Sequence, residues 1–240
     1  MRLACALLVV FVAACPAQGG DDYPIGPGGG VGGTGSNGLV DAPSDGDGDA
    51  GGTILGRVCL LTDLRQVALC SDTDAGGLTV TLGTETATTG AQGDFEIVTP
   101  SGTNLVWRVS GLNIVPSVML FNPVARIPVI GDELYGQLLT GNSVLLQDGQ
   151  GTLLAHLTHA AAAAVGATAT LNPATANATF YDGNNALVWD TDATSAFGVT
   201  WLPGADVGSV TITATLNASM ISAIYPIENQ AITWAEIEIP

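Results

Sequence analysis

From Gly52 onward the chain alternates apolar and polar positions in short stretches, broken repeatedly by Gly, Asp, Asn and Pro. Leu78, Val80 and Leu82 alternate with Thr79 and Thr81. Leu105, Trp107 and Val109 alternate with Val106 and Arg108, and Val210, Ile212, Ala214 and Leu216 with Thr211, Thr213 and Thr215. Successive side chains of a strand point to opposite faces, so each stretch presents one apolar face. That is the pattern of antiparallel strands packed as two-sheet sandwiches. Helical spacing stands out at Asp132–Thr140, where Leu134 pairs with Leu138 and Tyr135 with Leu139, with Gly141 placed to cap. This predicts a short connector helix. Ala160–Ala164 favours helix by propensity, but a run this short between strands predicts a loop.

The alternating part also repeats itself. Thr89-Gly90-Ala91-Gln92-Gly93 precedes Phe95, Ile97, Pro100 and the strand at Leu105; Thr194-Ser195-Ala196-Phe197-Gly198 precedes Thr200, Leu202, Pro203 and the strand at Val210. Upstream, Gly56-Arg57-Val58 and Gly77-Leu78-Thr79-Val80 match Gly151-Thr152-Leu153 and Gly166-Ala167-Thr168-Ala169. A duplication of this length predicts two small domains in tandem. The expected fold is all-β: two antiparallel, Ig-like β-sandwiches at residues 53–127 and 150–240, joined by a connector at 128–149.

These residues carry a resemblance. Gly56-Arg57-Val58, Gly77-Leu78-Thr79-Val80-Thr81-Leu82, Ala87-Thr88-Thr89-Gly90-Ala91-Gln92-Gly93-Asp94-Phe95 and Val106-Trp107-Arg108-Val109-Ser110-Gly111 look like the carboxypeptidase regulatory-like module. The resemblance lies in the first half. It implies a seven-stranded transthyretin-like sandwich of a kind common in bacterial envelope lipoproteins. Such modules are non-catalytic, so it supplies no catalytic residues.

The start of the chain reads differently. Arg2 is followed by an apolar or small-residue run from Leu3 to Ala14, shorter than the about 20 residues a spanning helix needs. A basic start, a short apolar segment and small residues before a break describe a signal peptide. Val12-Ala13-Ala14-Cys15 resembles the bacterial lipobox, which implies a signal peptide over residues 1–15, cleavage before Cys15 and lipidation of its thiol. Residues 16–52 are rich in Gly and Asp, with no periodic apolar pattern. Such a composition cannot offset its ordering entropy and predicts a disordered tether reaching roughly 35 Å. Pro16, where an Asp would favour inner-membrane retention, points by the same resemblance to the outer membrane.

Charge narrows the partners. The chain has no lysine and a formal net charge of −17. Phosphate binding relies on clustered Lys and Arg, so nucleic acid is excluded as a partner. Cys5 falls in the signal segment and Cys15 takes the lipid, leaving Cys59 and Cys70, which in an exported domain predicts a disulfide.

Residues that carry chemistry are sparse. His156 and His159 would share a face on a helix, but their surroundings read as strand, which points them apart, and no third ligand has metal-site spacing. Ser143, Ser195 and Ser209 lack a base oriented by a third group, and Schiff-base chemistry needs a lysine. Asp45-Gly46-Asp47-Gly48-Asp49 starts like a calcium loop but has Ala50 where the glycine belongs and Gly56 where the closing glutamate belongs. Gly28–Gly33 follows no strand and opens no helix, so it is no phosphate cradle. Neither a catalytic residue, a metal nor a cofactor is expected. Trp107 faces inward with Leu105 and Val109. Trp189 and Trp201 flank a turn-rich stretch near Tyr181, and these three form a candidate ligand platform.

The expected function is therefore that of a membrane-anchored envelope lipoprotein. Its non-catalytic sandwiches would serve a structural or protein-interaction role, with an envelope protein or polysaccharide as partner. An exposed row of Tyr181, Trp189 and Trp201 would favour carbohydrate binding or adhesion. A cleft gathering His156, His159 and carboxylates would favour a hydrolytic enzyme.

Overall fold

The alternating stretches become strands in the computed structural model, which describes residues 52–67, 75–123, 125–175 and 177–240. In chain order they are β1 (Thr53–Leu61), β2 (Thr79–Leu82), β3 (Glu85–Thr88), β4 (Asp94–Val98), β5 (Val106–Ser110), β6 (Ser117–Leu120) and β7 (Arg126–Ile130). The helix α1 (Asp132–Gly141) follows. Then come β8 (Gln150–His159), β9 (Ala162–Ala163), β10 (Thr168–Asn172), β11 (Phe180–Tyr181), β12 (Val199–Asp206), β13 (Gly208–Leu216), β14 (Ser219–Ile227) and β15 (Ile232–Glu238).

These strands make three sheets: β4-β1-β7, β10-β13-β14, and a long sheet ordered β11-β12-β8-β15-β6-β5-β2-β3, to which β9 adds beside β8. The protein is thus an all-β sandwich fold, with one short helix among the described residues. The long sheet is its spine. Trp107 lies opposite Met119, Met119 opposite Trp234, Trp234 opposite Leu154 and Leu154 opposite Trp201, so these five side chains share one face. On that face, β4-β1-β7 packs over β5 and β2, where Val58, Phe95, Ile97 and Ile127 meet Val80, Leu82, Trp107 and Val109. Farther along the same face, α1 packs Tyr135 and Leu138 onto Leu154, Trp201 and Trp234, joined by Leu61 from β1 and Ile130 from β7. On the opposite face, β10-β13-β14 packs Ala169, Val210, Ile212 and Ile227 against Leu153, Ala155, Leu157, Leu202 and Ile237. Strand β8, covered on both sides, is accordingly apolar or small at nearly every position from Gly151 to Ala155.

The two halves share more than a strand list. The order β4-β1-β7 recurs as β12-β8-β15, with the same antiparallel and parallel pairings, and β2-β5-β6 recurs as β10-β13-β14. Local hydrogen bonds recur as well. Thr89 accepts from the Leu78 amide and donates to the Ala75 carbonyl through one buried hydroxyl, while its backbone exchanges bonds with Gly77 and Leu78. Thr194 does the same to Ala167, Ala164 and Gly166. The Val58 amide donates to the Gly93 carbonyl at 2.8 Å, and the Leu157 amide to the Gly198 carbonyl at 2.7 Å. Both glycines have positive φ, +84° and +68°. A Cβ on either would lie 2.3 Å from the Val58 carbonyl oxygen or 2.5 Å from that of Leu157, so only glycine fits the turn. Sequence duplication and structural duplication therefore coincide, with one shift. Gly56-Arg57-Val58 corresponds to Ala155-His156-Leu157 rather than to Gly151-Thr152-Leu153, because Val58 and Leu157 make the matching bond.

Four expectations need correction. The halves are not separate tandem modules: β6 and β15 pair in parallel, Ser117 with Ile232 through Met119 with Trp234, and fuse both sandwiches into one spine. Each strand would otherwise leave a row of unpaired amides and carbonyls at an edge. The boundary at 127/128 falls inside β7, so the connector is only α1 and the loop after it. Gly141 is the last helical residue rather than the cap; Asn142 takes that place, its amide donating to Leu138. Gly141 instead lets the helix approach the Leu187 carbonyl, 2.6 Å from where a Cβ would stand. Ala160–Ala164, expected as a loop, is a hairpin turn. Ala160 and Ala161 take φ of 51° and 60°, and β9 pairs back onto β8.

Candidate functional site

Tyr181, Trp189 and Trp201 are all buried, which corrects the expectation of a ligand platform. β11 places Phe180 opposite Trp201 and Tyr181 opposite Thr200, so Tyr181 and Trp201 point to opposite faces. Trp201 sits in an aromatic cluster: Phe180 at 4.9 Å, Trp189 edge-on at 5.9 Å and Tyr135 at 6.5 Å between ring centroids. Trp189 donates its indole N–H to the Ala186 carbonyl and its backbone N–H to Asn142 Oδ1. Tyr181 Oη accepts from the Ala169 amide at 3.0 Å on the other side of the sheet. Tyr135 hydrogen-bonds Thr152, and burial pushes its phenol up to about 12. Trp107 is fully buried, as its alternation predicts, with its indole N–H on the Asn122 carbonyl at 3.3 Å.

Buried polar groups serve the turns. Asp182, fully buried, accepts from the amides of Ser195, Phe197 and Val199 and from the Ser195 hydroxyl, at 2.8 to 3.0 Å. Four donors satisfy a carboxylate that would otherwise be costly to bury, and they engage Ser195. Next to it Arg65 pairs with Asp63 at 2.7 Å, donates to the Gly183 carbonyl at 2.7 Å and lies 5.2 Å over the Phe197 ring. Burial alone would raise the Asp63 carboxyl, but hydrogen bonds and charge from Arg65 hold it below its ordinary value. This cluster clamps the loop after β1 to the loop between β11 and β12. Sequence reading missed it, because Asp182-Gly183-Asn184 has the composition of an ordinary exposed turn.

The candidate site is a cavity of about 300 Å³ on the spine face between β7 and the junction of β6, β15 and β8. Met119, Leu154 and Trp234 make its apolar floor, and Asn122, Arg126, His156 and Glu236 its polar rim. His156 and Glu236 are register partners on β8 and β15, with Nδ1 2.9 Å from the carboxylate, and the hydrogen bond to Glu236 raises the imidazole pKa against the opposing effect of burial. His159, three residues on, turns away and pairs its Nδ1 with the Ile239 carbonyl. The two histidines are not brought together, and among the described residues no group of three or more His, Cys, Asp or Glu is placed to hold a metal. No serine or cysteine lines the cavity among the described residues. The rim can hold a small polar group by charge and hydrogen bonding over an apolar floor.

Cys15, Cys70, the Asp45–Asp49 run and Gly28–Gly33 lie outside the described residues. Cys59 is buried on β1. Among the described residues no helix is long and apolar enough to cross a membrane. No family model and no curated protein sequence matches the chain. Two solved structures are similar in part. The minor pilin GBS52 of Streptococcus agalactiae has 11% identity and a TM-score of 0.28, covering 78% of this chain and 94% of its own. The major pilin subunit BcpA of Bacillus cereus has 16% identity and a TM-score of 0.25, covering 68% and 55%.

Proposed function

We propose that this chain is a non-catalytic envelope lipoprotein, held at the outer membrane by lipid on Cys15. The duplicated sandwich would act as a rigid structural or protein-interaction body at the end of a Gly-rich tether. One observation carries the scaffold reading: β6 and β15 weld two sandwiches into a single spine, whose aromatic and buried polar residues are spent on holding loops and layers together. The anchor rests on the lipobox Val12-Ala13-Ala14-Cys15. A Cys59–Cys70 disulfide belongs to the same proposal, supported by the disulfide state of Cys59. Burial of Tyr181, Trp189 and Trp201 speaks against the carbohydrate-platform alternative.

Cys15→Ser tests the anchor. It should abolish fatty-acid labelling and move the protein from the membrane to the soluble fraction; a variant still membrane-bound at unchanged mass would contradict the proposal. Crosslinking and pull-down from the native envelope tests the interaction role. Recovery of specific protein partners is expected, and binding to envelope polysaccharide alone would replace this reading with an adhesive one.

A further inference from the structure

An edge strand exposes unpaired amides and carbonyls, and folds guard such edges with charge, proline or short length. Nearly every sheet edge among the described strands is guarded. β4 carries Asp94 and Glu96, β7 carries Arg126 and Pro128, β3 has four residues with Glu85, and β11 has only two. β10, the far edge of its sheet, is five residues long and runs into Pro173. β14 is the exception. It spans nine residues without a charge, lies at the edge of β10-β13-β14, and exposes Met220 and Ile224 by 65% each. Its last residues are engaged, since Tyr225 and Ile227 are buried and the Pro226 carbonyl accepts from Thr233 Oγ1 at 2.6 Å. The open stretch is Ser219–Ile224.

The duplication says what such an edge is for. β14 is the counterpart of β6, and the free edge of β6 is where β15 docks, in a parallel strand pair. β14 has no such neighbour among the described strands.

We propose that two copies of this chain pair through β14, antiparallel about a two-fold axis at Ser222, extending each three-stranded sheet into a six-stranded one. In this register Met220 faces the partner's Ile224 on the outer surface, Ile221 faces the partner's Ala223 on the inner one, and Ser222 faces its own copy. Apolar cross-strand pairs are the unit of sheet stabilisation, and like charges directly opposite are destabilising. In a chain of net charge −17, an uncharged edge is where two copies approach without repulsion. A two-fold contact also needs a self-complementary patch, which this register supplies.

The test uses Ser222→Cys in the full-length chain in detergent, oxidised mildly and read on a non-reducing gel. Opposed residues of an antiparallel pair lie about 4.5–5.5 Å apart, within disulfide range. Thr213→Cys, on β13 across from Ser222, is the control, because two copies of that position stand three strand spacings apart, about 14 Å. A covalent dimer is expected from Ser222→Cys and none from Thr213→Cys. Adding Met220→Glu with Ile224→Glu should abolish the dimer, whereas Met220→Lys with Ile224→Glu should keep it, since each new lysine then faces a glutamate. Both positions are exposed, and unchanged thermal melts verify that the fold is retained. Absence of a dimer, equal dimer from both cysteines, indifference to the charge pattern, or crosslinking only to a different protein would each overturn the proposal.

Discussion

Thr89 and Thr194 hold equivalent turns through one buried hydroxyl each, and replacing them by valine keeps the shape while removing the oxygen. In Thr89→Val the Leu78 amide and the Ala75 carbonyl each lose their partner among the described hydrogen bonds. A buried polar group left unsatisfied costs about 1–3 kcal/mol, so with two such groups the variant should lose about 2–6 kcal/mol. Thr194→Val should cost less. The Ala167 amide also donates to the Ala164 carbonyl at 3.2 Å, so both former partners of the hydroxyl keep one bond to each other. A loss of about 1–2 kcal/mol follows from the same scale. Urea unfolding of the full chain, followed by tryptophan fluorescence and circular dichroism, measures both as shifts of midpoint at constant slope. Equal stability of Thr89→Val and the parent would refute the hydrogen-bond accounting. A Thr194→Val cost larger than that of Thr89→Val would refute the asymmetry drawn from the extra Ala167–Ala164 bond.

Trp107→Ala should cost about 3–5 kcal/mol, because the indole is fully buried between Phe95 and Phe121; a urea midpoint unchanged from the parent would show that the facing of β5 is wrong. His156 has a raised pKa through Glu236, so its contribution to stability is full below the unfolded value near 6.5 and is lost as pH rises through the higher folded value. Melts of His156→Gln across pH 5 to 9 should lack that decline, and an identical pH profile in parent and variant would contradict the pairing.

Much of the fold was legible because local physics fixed it. The alternations around Leu78, Trp107 and Val210 mark half-buried strands, and Gly93 and Gly198 mark turns that no other residue fits. The repeat was visible in those same glycines and in Thr89 and Thr194, since equivalent turns demand equivalent residues. The β6–β15 junction was not legible. Which edges pair across the chain depends on what the finished sandwiches leave open, and neither Ser117–Leu120 nor Ile232–Glu238 announces its partner. The aromatic residues misled for a related reason. β11 is only two residues long, too short to show an alternation, so nothing local revealed that Phe180 rather than Tyr181 meets Trp201. Asp182 and Glu236 gain their roles only when distant strands bring donors or His156 to them.

The fused spine is the claim on which the scaffold reading depends, and amide hydrogen exchange of the full chain tests it most directly. If β6 and β15 are welded, the amides of Val118, Met119, Thr233 and Trp234 lie in the interior of a continuous sheet. They should then exchange only through global unfolding, as slowly as those of β8, with both halves losing protection together as urea rises. Rapid exchange at β6 and β15, with the two halves opening at separate urea concentrations, would contradict the account and return the protein to two independent domains.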